Sequence, residues 1–423
     1  MPRLAYVIVL GDVNCSPRTV SHADQLVKRD YNVKLFGYSD FKTQNERITN
    51  HRIPNWTKLD FIFPKFFQLI FKFFVTLFYL LLVLSIKSKP NILVIQNPPS
   101  LPIFLFVYIY NFLYQIDVIL IDWHNYGYTL ARPGIIRRIY YYLEVKFCCE
   151  YLNLPNIKHI CVSKRFSKDL ENKCKIRAIT VYDRPRIEVR TTPAKSAHQI
   201  FTKLSESYPQ FKDGEMSIRR TMATEITSIS SMPYTFRHDR PAILVSSCSW
   251  TIDDRIEMLL EALTKYDKDE NAQRPLFCII TGKGPMKDHY MRIIREKKFQ
   301  KSQLVLPWID SGDYFDLIGS ADIGVCLHES TSGLDLPMKV VDLFSRVVPV
   351  LALDYPCLKE EMVQNKENGI LFKNSDELKD SLTFLFNKKD GSDLLKTMRK
   401  NIVEQYVDNV DYTWDTEWKK IGL

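Results

Sequence analysis

The chain has 423 residues, 46% of them hydrophobic and 25% charged, which is enough material for two domain cores and excludes wholesale disorder. A net charge of +9 suits nucleic acid, anionic lipid or a phosphorylated substrate, but Lys and Arg are spread along the sequence and no block reads as a nucleic-acid arm. Nine cysteines, an odd number without regular spacing or a CxxC pair, argue against a disulfide framework and for reduced thiols in a chain that faces the cytosol.

The sequence shows no signal peptide: Met1-Pro2-Arg3 leads straight into an apolar run of buried-strand length at residues 4–10. A helix over 20–29 and a strand over 32–37 follow. Asn55-Trp56-Thr57 is a formal glycosylation sequon, silent on a cytosolic protein. Residues 61–86 read as an aromatic and aliphatic helix, 92–96 as a strand and 102–114 as a helix. The uncharged run 73–86 is shorter than the roughly 20 residues that span a bilayer. It and the stretch 101–116 read as buried helices or as helices that dip one face into a membrane interface, with Lys65, Lys72, Lys87 and Lys89 as anchoring cations. The alternation continues with a strand at 118–121, helix 135–150, strand 159–162, helix 163–172 and strand 178–181. Residues 185–240 are rich in Ser, Thr, Lys and Glu with little periodicity except around 200–204, and read as a connector or surface insertion, partly flexible.

From 242 the alternation restarts: strands at 242–246, 276–280, 304–306, 323–327 and 348–351, with helices at 254–265, 286–297, 313–318, 357–364, 377–387 and 391–406. Strands alternating with helices imply parallel βαβ units and doubly wound sheets. Two such sheets place a ligand in a cleft at the carboxyl ends of their strands, so the ends of strands are where chemistry is expected. The divisions are an N-terminal domain over 1–184, a connector over 185–240, a C-terminal domain over 241–403, and a C-terminal helix in 404–423 that returns to the N-terminal domain.

Polar motifs do sit at those ends. Gly11-Asp12-Val13 closes the first strand and offers Asp12 as a general base, or as a helix cap. It is not a GxGxxG fingerprint, so a dinucleotide oxidoreductase loses support. Gln96-Asn97-Pro98-Pro99 offers amides for sugar hydroxyls. Asp122-Trp123-His124-Asn125-Tyr126-Gly127-Tyr128 is the densest polar-aromatic cluster: Trp and Tyr stack on sugar faces, while Asp, His and Asn bond hydroxyls or move protons. The alternative is a buried network that props a loop. Ser246-Ser247-Cys248-Ser249 and Gly282-Lys283-Gly284 supply backbone N–H groups, hydroxyls and one cation near helix starts, suited to a diphosphate. The turn-rich loop from His328 through Gly333 and Leu334 runs into a helix with Lys339 in its first turn and Asp342 one turn on. A cation for a diphosphate and a carboxylate for a ribose diol make half of a nucleotide-sugar site. The bland alternative is an αβ connection whose charges face solvent. There is no HExxH, paired CxxC or GxSxG, so neither a metal site nor a serine hydrolase is expected.

GDV-x-x-SPR, QNPPSLP, DWHNYGY, TVYDRP, SSCSWT, ITGKGP, SADIGVCLH and TSGLDLPMKVVD together resemble the eukaryotic chitobiosyldiphosphodolichol β-mannosyltransferase family over nearly the whole chain. The resemblance implies a GT-B fold of two Rossmann-like domains, the first facing acceptor and membrane and the second binding the nucleotide sugar. It implies transfer of mannose from GDP-mannose to dolichyl-diphosphate-chitobiose, with inversion to a β-1,4 linkage, on the cytosolic face of the endoplasmic reticulum membrane. Other mannosyltransferases of the dolichol pathway are possible partners, and no cofactor or metal is expected. Asp12 and His124 are the candidate bases, with Asp122 third or as the residue that orients His124. Asn97, Trp123, Asn125 and Tyr126 are assigned to the acceptor. Ser247, Lys283, Gly284, His328, Gly333, Leu334, Lys339 and Asp342 are assigned to the donor. Two features depart from the family: this sequence opens at the first strand where members usually carry a transmembrane helix, and Ser332 and Val340 stand where many retaining GT-B enzymes place two glutamates. The competing readings are a non-catalytic GT-B partner of other glycosyltransferases and, on net charge alone, a nucleic-acid protein.

Overall fold

Strand and helix alternate through both halves of the computed structural model, which describes residues 3–41, 43, 45–56, 65–131, 133–214, 219–227 and 233–423. Thr57 of the sequon and residues 61–64 of the long apolar segment lie outside the described residues. The chain divides into two compact units, Met1–Arg186 with Thr413–Leu423, and Ile187–Tyr412.

The first unit runs β1 (Arg3–Ile8), α1 (Pro17–Lys28), β2 (Tyr31–Gly37), β3 (Ile48–Arg52), α2 (Lys65–Ile86), β4 (Ile92–Asn97), α3 (Ile103–Tyr114), β5 (Val118–Trp123), α4 (Ile135–Lys146), β6 (Ile157–Cys161), α5 (Lys164–Cys174) and β7 (Ile179–Thr180). Among the described residues these strands form one parallel sheet of order β3-β2-β1-β4-β5-β6-β7. The order reverses between β1 and β4. Right-handed crossovers then put α1 on one face and α2 to α5 on the other. The C-terminal helix Trp414–Lys419 returns to the α1 face, where Trp414 and Trp418 join Val20, Ala23 and Leu26 in one apolar cluster.

The second unit opens with α6 (Ala194–Ser205) and an antiparallel pair, β8 (Thr224–Ile226) with β9 (Tyr234–Phe236). It continues through β10 (Ala242–Ser247), α7 (Ile256–Lys268), β11 (Leu276–Thr281), α8 (Lys287–Glu296), β12 (Ser302–Val305), α9 (Ser311–Gly319), β13 (Ile323–Cys326), α10 (Met338–Ser345), β14 (Val350–Leu353), α11 (Pro356–Glu361), β15 (Gly369–Phe372), α12 (Ser375–Asn387) and α13 (Lys389–Ile402). Its parallel sheet has the order β12-β11-β10-β13-β14-β15, with the reversal between β10 and β13.

Several sequence expectations need correction. The segment read as a connector or surface insertion over 185–240 carries a helix where its periodicity lies: Ala197, His198, Ile200, Phe201 and Leu204 form a buried stripe on α6, and from Ile187 onward the segment belongs to the second unit. Strands β3 and β15 were not anticipated. Edge strand β3, Ile-Thr-Asn-His-Arg, pairs among the described residues only with β2 and is too polar to announce itself. The helix expected to run to residue 150 ends at Lys146 and passes into a π-helical turn, Phe147–Tyr151. The nine cysteines are free thiols.

Candidate functional site

In the first unit, Asp122 lies one residue before the end of β5. Successive side chains on a strand point to opposite faces, so Asp122 and His124 share one face while Trp123 takes the other. The Asp122 face is the α1 face. There Arg18, at the start of α1, donates from Nε and Nη2 to the two carboxylate oxygens at 2.8 Å each. One turn on, His22 Nε2 lies 2.9 Å from Oδ2, and His124 Nε2 lies 2.7 Å from the same oxygen. Arg18 also holds the Val181 carbonyl at 2.8 Å and Asp183 Oδ1 at 3.0 Å.

The hydrogen bonds assign the protons. The Trp418 indole N–H donates to His22 Nδ1 at 3.0 Å. An indole only donates, so Nδ1 carries the lone pair and Nε2 donates to Asp122; His22 is neutral. Burial lowers its proton affinity, in keeping with that state, although Asp122 pulls the other way. Burial pushes the Asp122 carboxyl up, but Arg18, His124 and His22 together hold it well below the usual carboxylate range. A carboxylate only accepts, so His124 also presents Nε2–H to it, and in the neutral imidazole Nδ1 carries the lone pair. The His124 side chain is 26% exposed against 1% for Asp122. Asp122, its two oxygens taken by Arg18, His22 and His124, is placed to orient His124.

Asp12 takes the capping role. Its side chain accepts from Asn14 N at 2.9 Å, opening the short 3-10 turn Val13–Cys15, and also from Ser39 Oγ. The Ser39 hydrogen bond holds its carboxyl below the ordinary value, which makes this exposed group a weaker base than its position at a strand end suggested.

Two residues assigned to the acceptor are corrected. Trp123 and Tyr126 are both fully buried. Trp123 packs against Phe104 of α3 and Phe166 of α5 and donates to His159 Nδ1 at 3.1 Å, while Tyr126 packs on Phe166 and donates to Asp169 at 2.8 Å. Neither ring presents a face to a sugar. Asn125 Oδ1 accepts from Tyr126 N at 2.8 Å and tightens the turn. Asn97 is buried, with its amide donating to the Asn125 carbonyl at 3.0 Å, its own carbonyl accepting from His124 N at 2.9 Å, and its Oδ1 without a partner among the described residues. Sequence reasoning missed Arg18, His22, Trp418 and also Glu144. The buried Glu144 carboxylate of α4 accepts from Gly127 N and Tyr128 N, each at 2.9 Å, and so fixes the loop that leaves His124.

In the second unit the expected donor residues gather at the carboxyl ends of β10, β11 and β13. The loop after β10 is laced to the loop after β13 by Glu329 N–H to Asp253 O at 2.8 Å and Arg255 N–H to Leu327 O at 3.0 Å. Asp254, absent from the sequence expectations, is the hub: Oδ2 accepts from Ser249 N at 2.7 Å and Ser249 Oγ at 3.1 Å, and Oδ1 pairs with Lys339 Nζ. Ser247 Oγ meets the Tyr314 hydroxyl at 3.0 Å, and that hydroxyl donates to Asp342 at 3.1 Å. His328 Nε2 lies 3.0 Å from Asp335. Gly333, in the left-handed region at φ 71°, donates to Ser330 Oγ at 2.8 Å, and Leu334 N–H donates to Ser332 Oγ at 3.2 Å. Lys283 is exposed, its ammonium 3.5 Å from the centre of the Trp308 ring. A Cβ on Gly284 would lie 1.7 Å from Ser249 O, and one on Gly282 1.8 Å from Cys248 O, so both glycines let the two backbones touch. Among the described residues no group of three or more His, Cys, Asp or Glu side chains is placed to hold a metal ion.

A family model described as glycosyl transferases group 1 matches residues 235–405. The chain is 37% identical to the chitobiosyldiphosphodolichol beta-mannosyltransferase of Homo sapiens, covering 100% of this chain and 92% of that one. It is 36% identical to the protein of that name in Mus musculus, over 99% and 88%. It is 32% identical to the Arabidopsis thaliana UDP-glycosyltransferase TURAN, over 98% and 95%. Among solved structures, sucrose-phosphate synthase from Thermosynechococcus elongatus superposes with a TM-score of 0.67 at 13% identity, covering 100% of this chain and 98% of that one. Anabaena HepE in complex with UDP-glucose gives 0.66 at 11%, again over 100% and 98%. Those low identities speak to the fold alone, which is of the GT-B type. Full-length similarity to the named enzymes goes further: this chain is a glycosyltransferase and belongs to the chitobiosyldiphosphodolichol β-mannosyltransferase family.

Proposed function

We propose that the chain transfers mannose from GDP-mannose to dolichyl-diphosphate-chitobiose with inversion, forming a β-1,4 linkage at the cytosolic face of the endoplasmic reticulum membrane, and that His124 is the base. The observation that carries this reading is the His124–Asp122 pair, with Nε2 committed to a buried carboxylate and Nδ1 left as acceptor. In the reaction the acceptor hydroxyl oxygen attacks the anomeric carbon while its proton passes to His124 Nδ1. The bond from that carbon to the diphosphate breaks on the opposite face, and its electron pair leaves with GDP. Asp122 keeps the imidazole in the productive tautomer and faces the imidazolium that forms. Lys339, Lys283 and the N-terminus of α10 would meet the charge growing on GDP without a metal ion, and Asp342 would take the ribose hydroxyls now answered by Tyr314.

The test is a transfer assay with the purified chain, GDP-mannose, a lipid diphosphate-chitobiose and EDTA. One added hexose that β-mannosidase removes is the expected product. UDP-sugars form a second arm, because one full-length relative is named a UDP-glycosyltransferase. Transfer from a UDP-sugar alone would replace the donor, and no product from folded protein in either arm would overturn the reading.

A further inference from the structure

Helix α4 reverses the usual rule of burial. Of its residues Ile135–Lys146, Glu144 is the one that is buried, while Ile135, Ile139 and Tyr142 are 75%, 55% and 62% exposed. Taking a carboxylate out of water costs far more than taking in an isoleucine, so packing alone does not account for the choice. Glu144 is also the first acidic residue after Asp122.

What the carboxylate holds is the loop that leaves His124. Oε1 accepts from Gly127 N and Oε2 from Tyr128 N, each at 2.9 Å. The Ser100 hydroxyl and the Asn97 amide also face it, and with those N–H groups they offset part of the burial that pushes its carboxyl up. Asn97 in turn accepts from His124 N at 2.9 Å and donates to the Asn125 carbonyl at 3.0 Å. The main chain is therefore pinned at His124 and Asn125 by Asn97, and at Gly127 and Tyr128 by Glu144. The loop has no slack between these points. A Cβ on Gly127 would lie 2.5 Å from both Ser100 Oγ and the Tyr140 hydroxyl, and those two groups meet at 3.0 Å. Tyr140 stands one turn before Glu144 on the same face of α4. Two adjacent N–H groups need two accepting oxygens, which a carboxylate has. An amide would turn its NH2 on one of them.

We infer that Glu144 is a positioning residue for the transfer: by holding Gly127 and Tyr128 it fixes the main chain of His124 and so the direction in which the imidazole presents Nδ1, without touching substrate itself. The inference deepens the proposed reaction and rests on His124 being its base. Its test combines kinetics with the state of the imidazole. Glu144→Gln should lower kcat by about 10²-fold, the cost of a misplacement of about 1 Å, while KM for GDP-mannose holds. Gly127→Ala crowds the loop against Ser100 and Tyr140 with the carboxylate intact, and should show the same split. Glu150→Gln, at an exposed glutamate beyond the end of α4, should not. In a His124→Ala background Glu144→Gln should cost less than about threefold more, because residues that act as a unit are not additive. In nuclear magnetic resonance spectra of isotope-labelled histidine, wild-type His124 is expected as the Nε2–H tautomer. Glu144→Gln should mix the two tautomers, a change that a merely structural role would not produce. An unchanged kcat in folded Glu144→Gln, an equal loss with and without His124, a raised KM for GDP-mannose in place of the lowered kcat, an unaltered tautomer, or failure of both loop variants to fold would each overturn the inference. A wild-type chain without transfer, or full activity in His124→Ala, would instead bring down the reaction or its base, and the tautomer then decides the role of Glu144.

Discussion

His124 and Asp122 touch at 2.7 Å, yet their removal leaves different things behind. His124→Ala leaves Asp122 with Arg18 and His22, so the buried network keeps its charge balance. Its kcat should fall by about 10²–10⁴, the usual worth of a positioned base, with little change in thermal midpoint. Asp122→Asn conserves shape but removes the acceptor that receives Arg18, His22 and His124. The buried Arg18 then retains only Asp183, at 3.0 Å, as an acidic partner, and breaking such a pair costs about 3–5 kcal/mol. That variant should lose stability as well as rate, read by thermal unfolding beside initial rates. Equal midpoints in the two variants would refute the network, and an unchanged kcat in His124→Ala would refute the base. The sequence made this corner half legible. Asp122 and His124 stand out as polar residues at the end of an apolar strand, but the cluster leaves open chemistry or a buried network that props a loop, and a period of two, which sends Trp123 to the far side, divides it between the two. Arg18, His22 and Trp418 were out of reach, because distant segments supply them and only the closed sheet brings them to Asp122.

Among elements, strands and helices of both sheets were legible because long apolar runs and amphipathic stripes carry their own period. The failures fall where that signal is short or broken. Edge strand β3 buries one side chain, Ile48, and β15 begins at a glycine. The donor-side loops were recognised as small and turn-rich, whereas the reason for their glycines appears only when two loops meet. Gly284 of one faces the Ser249 carbonyl of the other, and the Asp254 pairs to Ser249 and Lys339 stand on that contact. Gly284→Ala must push these backbones apart, since a carbonyl cannot rotate away as a side chain would. A displacement of that order at a positioning loop costs about 10²-fold, so kcat/KM for the sugar nucleotide should drop by that factor while KM for the lipid acceptor holds. Lys283→Ala, at an exposed side chain between the same glycines, should cost less. Initial-rate kinetics with each substrate varied in turn decide the matter, and a Gly284→Ala enzyme with unaltered donor kinetics would show that the loop contact is ornamental.

At the scale of the whole molecule the two units differ in how the chain builds them. Ile187–Tyr412 is one continuous stretch, whereas the first unit is assembled from Met1–Arg186 and the last eleven residues, Thr413–Leu423. Those residues are interior material. Trp414, Trp418 and Ile421 belong to the core cluster of the first sheet, Trp418 fixes the tautomer of His22, and the buried Glu417 accepts from Tyr182 N at 3.0 Å and pairs with Arg184. Emptying two indole sites and an isoleucine site costs roughly 8–15 kcal/mol by the measure of large-to-small core changes, which equals the whole stability of an ordinary domain, about 5–15 kcal/mol. A fragment of residues 1–186 is therefore expected to show no cooperative unfolding transition. The same fragment joined through a flexible linker to residues 413–423 should regain one, and residues 187–412 should fold alone and bind GDP. Urea titrations followed by circular dichroism, with calorimetry for the nucleotide, separate these outcomes. If residues 1–186 unfolded cooperatively without the tail, the returning segment would be a strap on a finished domain, and the tautomer of His22 would be set by something other than Trp418.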